Sequence, residues 1–175
     1  MHDHLPRLAP EYYRGIAFVH WTMTVDQRAT GWLDELIHHR FREVLLHTMT
    51  RYGLLCPAYC LMPDHVHFIW VGVRQNADQR LAAQFFRHHT NRLLQPKRWQ
   101  KQSYDNVLGE RERKADGFSK VCHYILENPV RAGLATRWEE YAYSGAMIAG
   151  FPTLSPRQTD YWDKLWRIYN EAMKQ

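Results

Sequence analysis

The run Leu61-Met62-Pro63-Asp64-His65-Val66-His67-Phe68-Ile69-Trp70 places two histidines one residue apart, just past a Pro-Asp turn signal and inside an apolar, aromatic segment. An extended strand sends alternate side chains to one face. His65 and His67 therefore point together, while Val66, Phe68 and Trp70 point the other way into a core. Two imidazoles on one face supply two donors of a metal site. Alone, they equally fit histidines satisfied by neighbours on a half-buried sheet. Tyr124 and Asn128 enlarge the set. They lie four apart in a segment of helical spacing, which makes them surface neighbours. They sit to the side of an apolar stripe of Phe118, Val121, Cys122 and Ile125. Two strand histidines, a phenol and an amide form a coherent set if the fold brings them together.

The elements that must do so are read from periodicity. Residues 15–25 are β-branched and aromatic, and give a first strand. Thr30-Gly31 opens a helical pattern to about Tyr52, with Gly53 as its C-cap. Residues 54–62 form a second strand, in which Pro57 argues for an edge or a bulge. Pro63-Asp64 is a hairpin turn and 65–73 a third strand. A second helix runs from about Ala77 to Leu94 and is stopped by Pro96. Residues 103–108 give a short strand, Gly109 to Lys114 a charged exposed turn, and 115–128 a third helix stopped by Pro129. Val130–Leu134 and Tyr141–Ser144 look irregular or strand-like, and Tyr161–Met173 is a C-terminal helix. The order β-α-β-β-α-β-α predicts an α+β fold close to the ferredoxin-like pattern, an antiparallel sheet with helices mainly on one face and the tyrosine on a helix.

Length and composition agree with one domain over residues 1–175, with 1–12 as a flexible leader and about 150–175 as a C-terminal helical extension. The polar leader holds a second His-x-His, His2 and His4, to which little weight attaches. Lys plus Arg is 23 and Asp plus Glu is 18, so the net charge is +5, which favours a polyanionic partner. Cys56, Cys60 and Cys122 are an odd number without a CxxC pair, and read as reduced core thiols in a cytoplasmic protein. No apolar run approaches the roughly 18 residues of a membrane span, and no signal peptide is visible. The second helix carries Arg87 and Arg92 on a basic face. The following run, Lys97, Arg98, Trp99, Gln100 and Lys101, interleaves charge with an aromatic ring. It suits phosphates and stacked bases, or is a solvated loop.

Met62-Pro63-Asp64-His65-Val66-His67 resembles the HUH motif (His, bulky apolar, His) of the single-tyrosine transposases. Tyr124-Ile125-Leu126-Glu127-Asn128-Pro129-Val130-Arg131-Ala132-Gly133-Leu134 resembles the catalytic-tyrosine helix of the REP-associated tyrosine transposases, and Trp99 with Tyr104-Asp105 is similar to that subfamily too. The resemblance spans about residues 12–147. It implies His65, His67 and Asn128 as ligands of a divalent ion, Mg²⁺ or Mn²⁺, and Tyr124 as nucleophile. It further implies cleavage and rejoining of single-stranded DNA at imperfect palindromic hairpins through a 5′-phosphotyrosine. Activity would be associated with the nucleoid. The implied state is a monomer; related insertion-sequence transposases work as dimers with the tyrosine helix supplied in trans. Arg131 is either a phosphate contact or a fixture of the helix exit, and Asp105 would support the site from behind. The rival from another class is a non-catalytic regulator that binds hairpin nucleic acid.

The residue types suit that chemistry. A phosphodiester repels nucleophiles by its charge, and a cation on its non-bridging oxygens offsets that charge. Tyrosine is protonated at neutral pH, so the phenol needs such help. A phosphotyrosine conserves the bond energy, which lets a 3′-hydroxyl reverse the step and rejoin strands. Imidazoles also accept Zn²⁺ or Ni²⁺, so the ligands alone do not fix the ion.

Overall fold

A computed structural model describes residues 7–174. Five strands make one antiparallel sheet: β1 (Phe18–Thr24), β2 (Leu54–Leu61), β3 (His65–Gly72), β4 (Tyr104–Val107) and β5 (Ser144–Met147), in the order β4-β1-β3-β2-β5. The α-helices are α1 (Glu35–Tyr52), α2 (Gln79–Leu94), α3 (Glu110–Arg113), α4 (Ala115–Leu126), α5 (Asn128–Arg131) and α6 (Tyr161–Ala172).

Several boundaries differ from the periodicity reading, each for a local reason. α1 starts at Glu35, not near Thr30, because the Asp34 carboxylate accepts from the Ile37 N–H at 2.7 Å and caps the helix there. Its end is as expected, with Gly53 in the left-handed region at φ 66°. The segment read as a charged turn is the short helix α3; Gly109 N–H donates to Glu112 Oε2 at 3.0 Å and closes its first turn. The third helix stops at Leu126. Pro129 cannot continue it and instead opens the separate turn α5, so Asn128 lies just beyond α4. The strand-like reading at Tyr141–Ser144 is displaced rather than absent: β5 begins at Ser144, and Ser144-Gly145-Ala146-Met147, which lacks strand formers, is held by pairing with β2.

Pro57 marks a bulge, not an edge. β2 lies between β3 and β5, and its register with both neighbours shifts across this residue. The bulge exchanges the faces of the strand. Leu54 and Cys56 pack on one side before it; Tyr59 and Leu61 take over that side after it. Leu55, Ala58 and Cys60 pack on the other.

The helices divide between two faces, where one had been expected. Val19, Trp21 and Met23 of β1 with Val66, Phe68 and Trp70 of β3 pack beneath Phe41, Leu45 and Met49 of α1 and Ala82 and Phe86 of α2. On the second face, Phe18, Ile69 and Val71 pack with Phe118, Cys122, Ile125 and Leu126 of α4 and Tyr161 and Leu165 of α6. Central strands with apolar side chains on both sides require cover on both sides. α6 belongs to this second core: Tyr161 is fully buried and its hydroxyl donates to the Pro57 carbonyl at 2.6 Å. The three cysteines are free and buried. Of the expected leader, the first six residues lie outside the described residues. From Arg7 the chain is tied down by an ion pair to Asp105 at 3.0 Å and by the buried Tyr13.

Candidate active site

β3 runs in unbroken register against β1, from Phe18 opposite Val71 to Thr24 opposite His65. Alternation along β3 therefore holds. Val66, Phe68 and Trp70 enter the first core, and His65 and His67 share the face of Ile69 and Val71, over which α4 packs. The pair and the tyrosine helix lie on the same side of the sheet within one chain.

The two imidazoles converge. His65 Nε2 and His67 Nε2 are 3.1 Å apart. Two nitrogens at about 2.1 Å from one cation, roughly at right angles, stand about 3.0 Å apart, so the spacing suits a shared ion. Their other nitrogens are engaged. His65 Nδ1 is 2.6 Å from Asp64 Oδ1, and Arg28 donates to Asp64 Oδ2 at 2.8 Å. A carboxylate can only accept, so Nδ1 of His65 carries the hydrogen and Nε2 presents its lone pair. Partial burial pushes the Asp64 acid up, but the hydrogen bonds and charges of His65 and Arg28 outweigh it and hold the acid below the usual carboxylate range. His67 Nδ1 lies 3.0 Å from Thr22 Oγ1 and 3.2 Å from His20 Nε2. Burial, then the neighbouring His20 and His65 and the charge of Arg131, push His67 down to about 3; burial alone takes His20 to about 4. His67 is therefore neutral at pH 7, as ligation requires. Among the described residues no third His, Cys, Asp or Glu joins the pair to complete a metal-binding cluster.

Tyr124 is 55% exposed on α4, and its ring packs under Arg131, whose Cζ is 4.0 Å from the ring centroid. Arg131 also donates to the Tyr124 carbonyl at 2.7 Å. Its charge is felt at His67 and at Cys60, which pairs with His67 across β2 and β3. Arg131 is thus held against the phenol ring, close enough to the sheet for its charge to bear on His67. Asn128 is half-buried, and its amide nitrogen donates to the carbonyls of Tyr124, at 3.2 Å, and Ile125, at 3.0 Å. Two carbonyl acceptors fix the amide orientation and leave Oδ1 as its available donor atom.

The remaining sequence candidates are scattered. Trp99, expected to offer a face to bases, is a core residue at 4% exposure; its indole N–H donates to Thr90 Oγ1 at 2.8 Å and its ring meets Trp32 edge-on. Arg87 is half-buried and donates to the carbonyls of Gln100 and Lys101, which shapes the loop. Arg98 pairs with Asp26 at 3.3 Å. Arg92 and Lys101 are exposed and Lys97 half-exposed. Asp105 does not support the histidines. It stands opposite Trp21 on β4, a position that faces the first core, and binds Tyr13 and Arg7. His20 and Thr22 were missed by the sequence reading. Their signal was present, since 20 and 22 alternate on β1 as 65 and 67 do on β3, but only the register aligns them.

Among solved structures, a REP-associated tyrosine transposase bound to a REP hairpin superposes with a TM-score of 0.66, at 17% identity over 81% of each chain. This chain has that fold. A putative transposase from Deinococcus radiodurans R1 aligns over 71% of this chain and 95% of its own, at 16% identity and a TM-score of 0.46. A bacterial tRNA(His) guanylyltransferase-like protein in complex with GTP aligns over 94% of this chain and 95% of its own, at 11% identity and a TM-score of 0.51. No family model and no curated protein matches the chain.

Proposed function

We propose that this chain is a REP-associated type of single-tyrosine transposase. On this reading it is a metal-dependent endonuclease and strand transferase that cuts and rejoins single-stranded DNA at palindromic hairpins. The observation that carries the reading is the placement of α4, with Arg131 stacked on Tyr124, over the sheet face bearing His65 and His67. The shared fold with a hairpin-bound transposase supports it, as does the net charge of +5.

His65 and His67 would hold the ion through Nε2, with Asn128 Oδ1 as third donor. Bound there, Mg²⁺ or Mn²⁺ supplies charge to the non-bridging phosphate oxygens. The chain's own residues do the rest. Tyr124 Oη attacks phosphorus and loses its proton; the bond to the 3′ oxygen breaks, and that oxygen takes up a proton. The 5′ end remains on tyrosine, and a 3′-hydroxyl reverses the step. Arg131 holds the phenol ring by stacking and adds a positive charge beside the incoming phosphate. Arg92, Lys97 and Lys101 are left for backbone contacts on the DNA, with Arg87 and Arg98 shaping the loop that presents them. With α4 docked in cis, a monomer suffices.

The test is covalent trapping. The wild-type chain with Mn²⁺ and a single-stranded hairpin oligonucleotide should give an adduct that survives denaturation. Tyr124→Phe should give none while still binding the hairpin. An adduct on Tyr124→Phe would refute the nucleophile assignment. Binding without scission by the wild-type chain in any divalent ion would make it a non-catalytic hairpin binder.

A further inference from the structure

We infer that His20 and Thr22, on β1, are positioning residues for His67, holding its ring so that the Nε2 lone pair faces the ion. The inference rests on the reading of His65 and His67 as metal ligands. β1 pairs with β3 so that Thr22 stands opposite His67 and His20 opposite Ile69, which puts all three polar side chains on one face. A neutral imidazole has one N–H and one lone pair. If the His67 lone pair at Nε2 serves an ion, its hydrogen sits on Nδ1 and needs an acceptor. Thr22 Oγ1 at 3.0 Å and His20 Nε2 at 3.2 Å are the two atoms that meet it. For His20 to accept, its own hydrogen sits on Nδ1, so one ring sets the tautomer of the next.

Burial argues that this is more than packing. His20 is half-buried beside Phe18 on β1 and Ile69 on β3, where an unpaired polar ring is costly. Its hydrogen-bond contact is His67, and the two ring centroids lie 5.2 Å apart. His65 is oriented by a carboxylate, Asp64, whereas His67 is oriented by neutral groups. The pair therefore combines one strongly polarised ligand with one that is oriented without added negative charge. That keeps the net charge of the bound ion available to a phosphodiester.

The measurement uses the full chain and Mn²⁺ alone, with no DNA. Long-range ¹H–¹⁵N correlation spectra of the metal-free chain report which ring nitrogen of His67 carries the hydrogen, and calorimetry with added Mn²⁺ reports affinity. The near-isosteric Thr22→Val, His20→Phe and their combination should lose the single Nδ1–H tautomer of His67 and weaken Mn²⁺ binding about 10–100-fold. Thr22→Ser, which restores the hydroxyl, should recover both. His65→Ala is the control for the ligand reading. If it binds Mn²⁺ as the wild type does, the ligand reading fails and the inference with it. If it loses Mn²⁺ while folded Thr22→Val and His20→Phe keep both affinity and tautomer, only the inference fails. Should the combined variant not fold, the comparison of Thr22→Val with Thr22→Ser decides alone.

Discussion

Arg131 is the side chain packed most closely on the proposed nucleophile. It stacks on the Tyr124 ring and bonds its carbonyl, and its charge reaches His67. Lysine keeps the charge but loses the planar stack. Arg131→Lys should therefore slow adduct formation roughly 10–100-fold in a single-turnover assay, as a misplaced reacting group does, with hairpin binding close to wild type. An equal loss of binding would make Arg131 a simple phosphate contact. Trp99 is the opposite case, since its ring is buried between Trp32 and Thr90. Trp99→Ala should cost about 3–5 kcal/mol in urea unfolding, the range for a large aromatic removed from a core. At this scale the sequence showed which residue types were present but not their surroundings. The tautomer support of His65 was within reach, because Asp64 is its neighbour. That of His67 was not, because it comes from β1, some forty-five residues earlier.

The site depends on two elements docking on each other, α4 on the sheet and α3 on α4. Gly117 lies in the first turn of α4, and a Cβ there would collide with the Arg111 carbonyl and crowd Glu112 Cα of α3. Alanine normally stabilises a helix relative to glycine by up to about 1 kcal/mol. Here the collision with backbone outweighs that gain, so Gly117→Ala should destabilise by about 1–3 kcal/mol, read from denaturant midpoints. A stabilised variant would mean that α3 yields freely. α6 clamps the same helix: Phe118 meets Trp162 and Trp166 edge-on, and His123 meets Trp162 at a tilt. Helix existence and most strand positions were legible, because apolar spacing dictates them. Helix starts were less so, since the Asp34 cap and the Pro129 break act through single hydrogen bonds and a ring. β5 was legible only at its first residue, because the small residues that follow gain strand structure by pairing with β2.

At the scale of the molecule, a sheet covered on both sides separates two cores with different duties. The first core adjoins the half-buried His38, whose Nε2 lies 3.0 Å from the hydroxyl of the buried Tyr59. Burial, then the charges of Arg42 and His39, push His38 down to about 4. The unfolded chain takes up this proton below the ordinary value of 6.5. The folded chain does not until about 4. Between these values the unfolded state binds more protons, so stability falls as pH falls through that window. Urea midpoints should decline from pH 7 to 4, and His38→Gln should reduce that slope by about a third, His20 and His67 supplying the rest by the same linkage. An unchanged slope would place the titrating groups elsewhere. The antiparallel α+β class was legible from element order; the second layer of helices was not, because the use of both faces of β1 and β3 emerges only from their pairing.

That two-faced arrangement has a consequence for the chain while it is being synthesised. The first core draws nearly all its side chains from before residue 100, with Met147 an exception, whereas the second waits for α4 and for Tyr161 and Leu165 of α6. A nascent chain can therefore close one half of the molecule early, with Phe18, Ile69 and Val71 still bare to water. The histidine pair is in place at that stage, but its tyrosine is not. On the proposed function, a half-made copy that meets DNA lacks the nucleophile, and the site is complete only once α4 has been made and docked on the sheet.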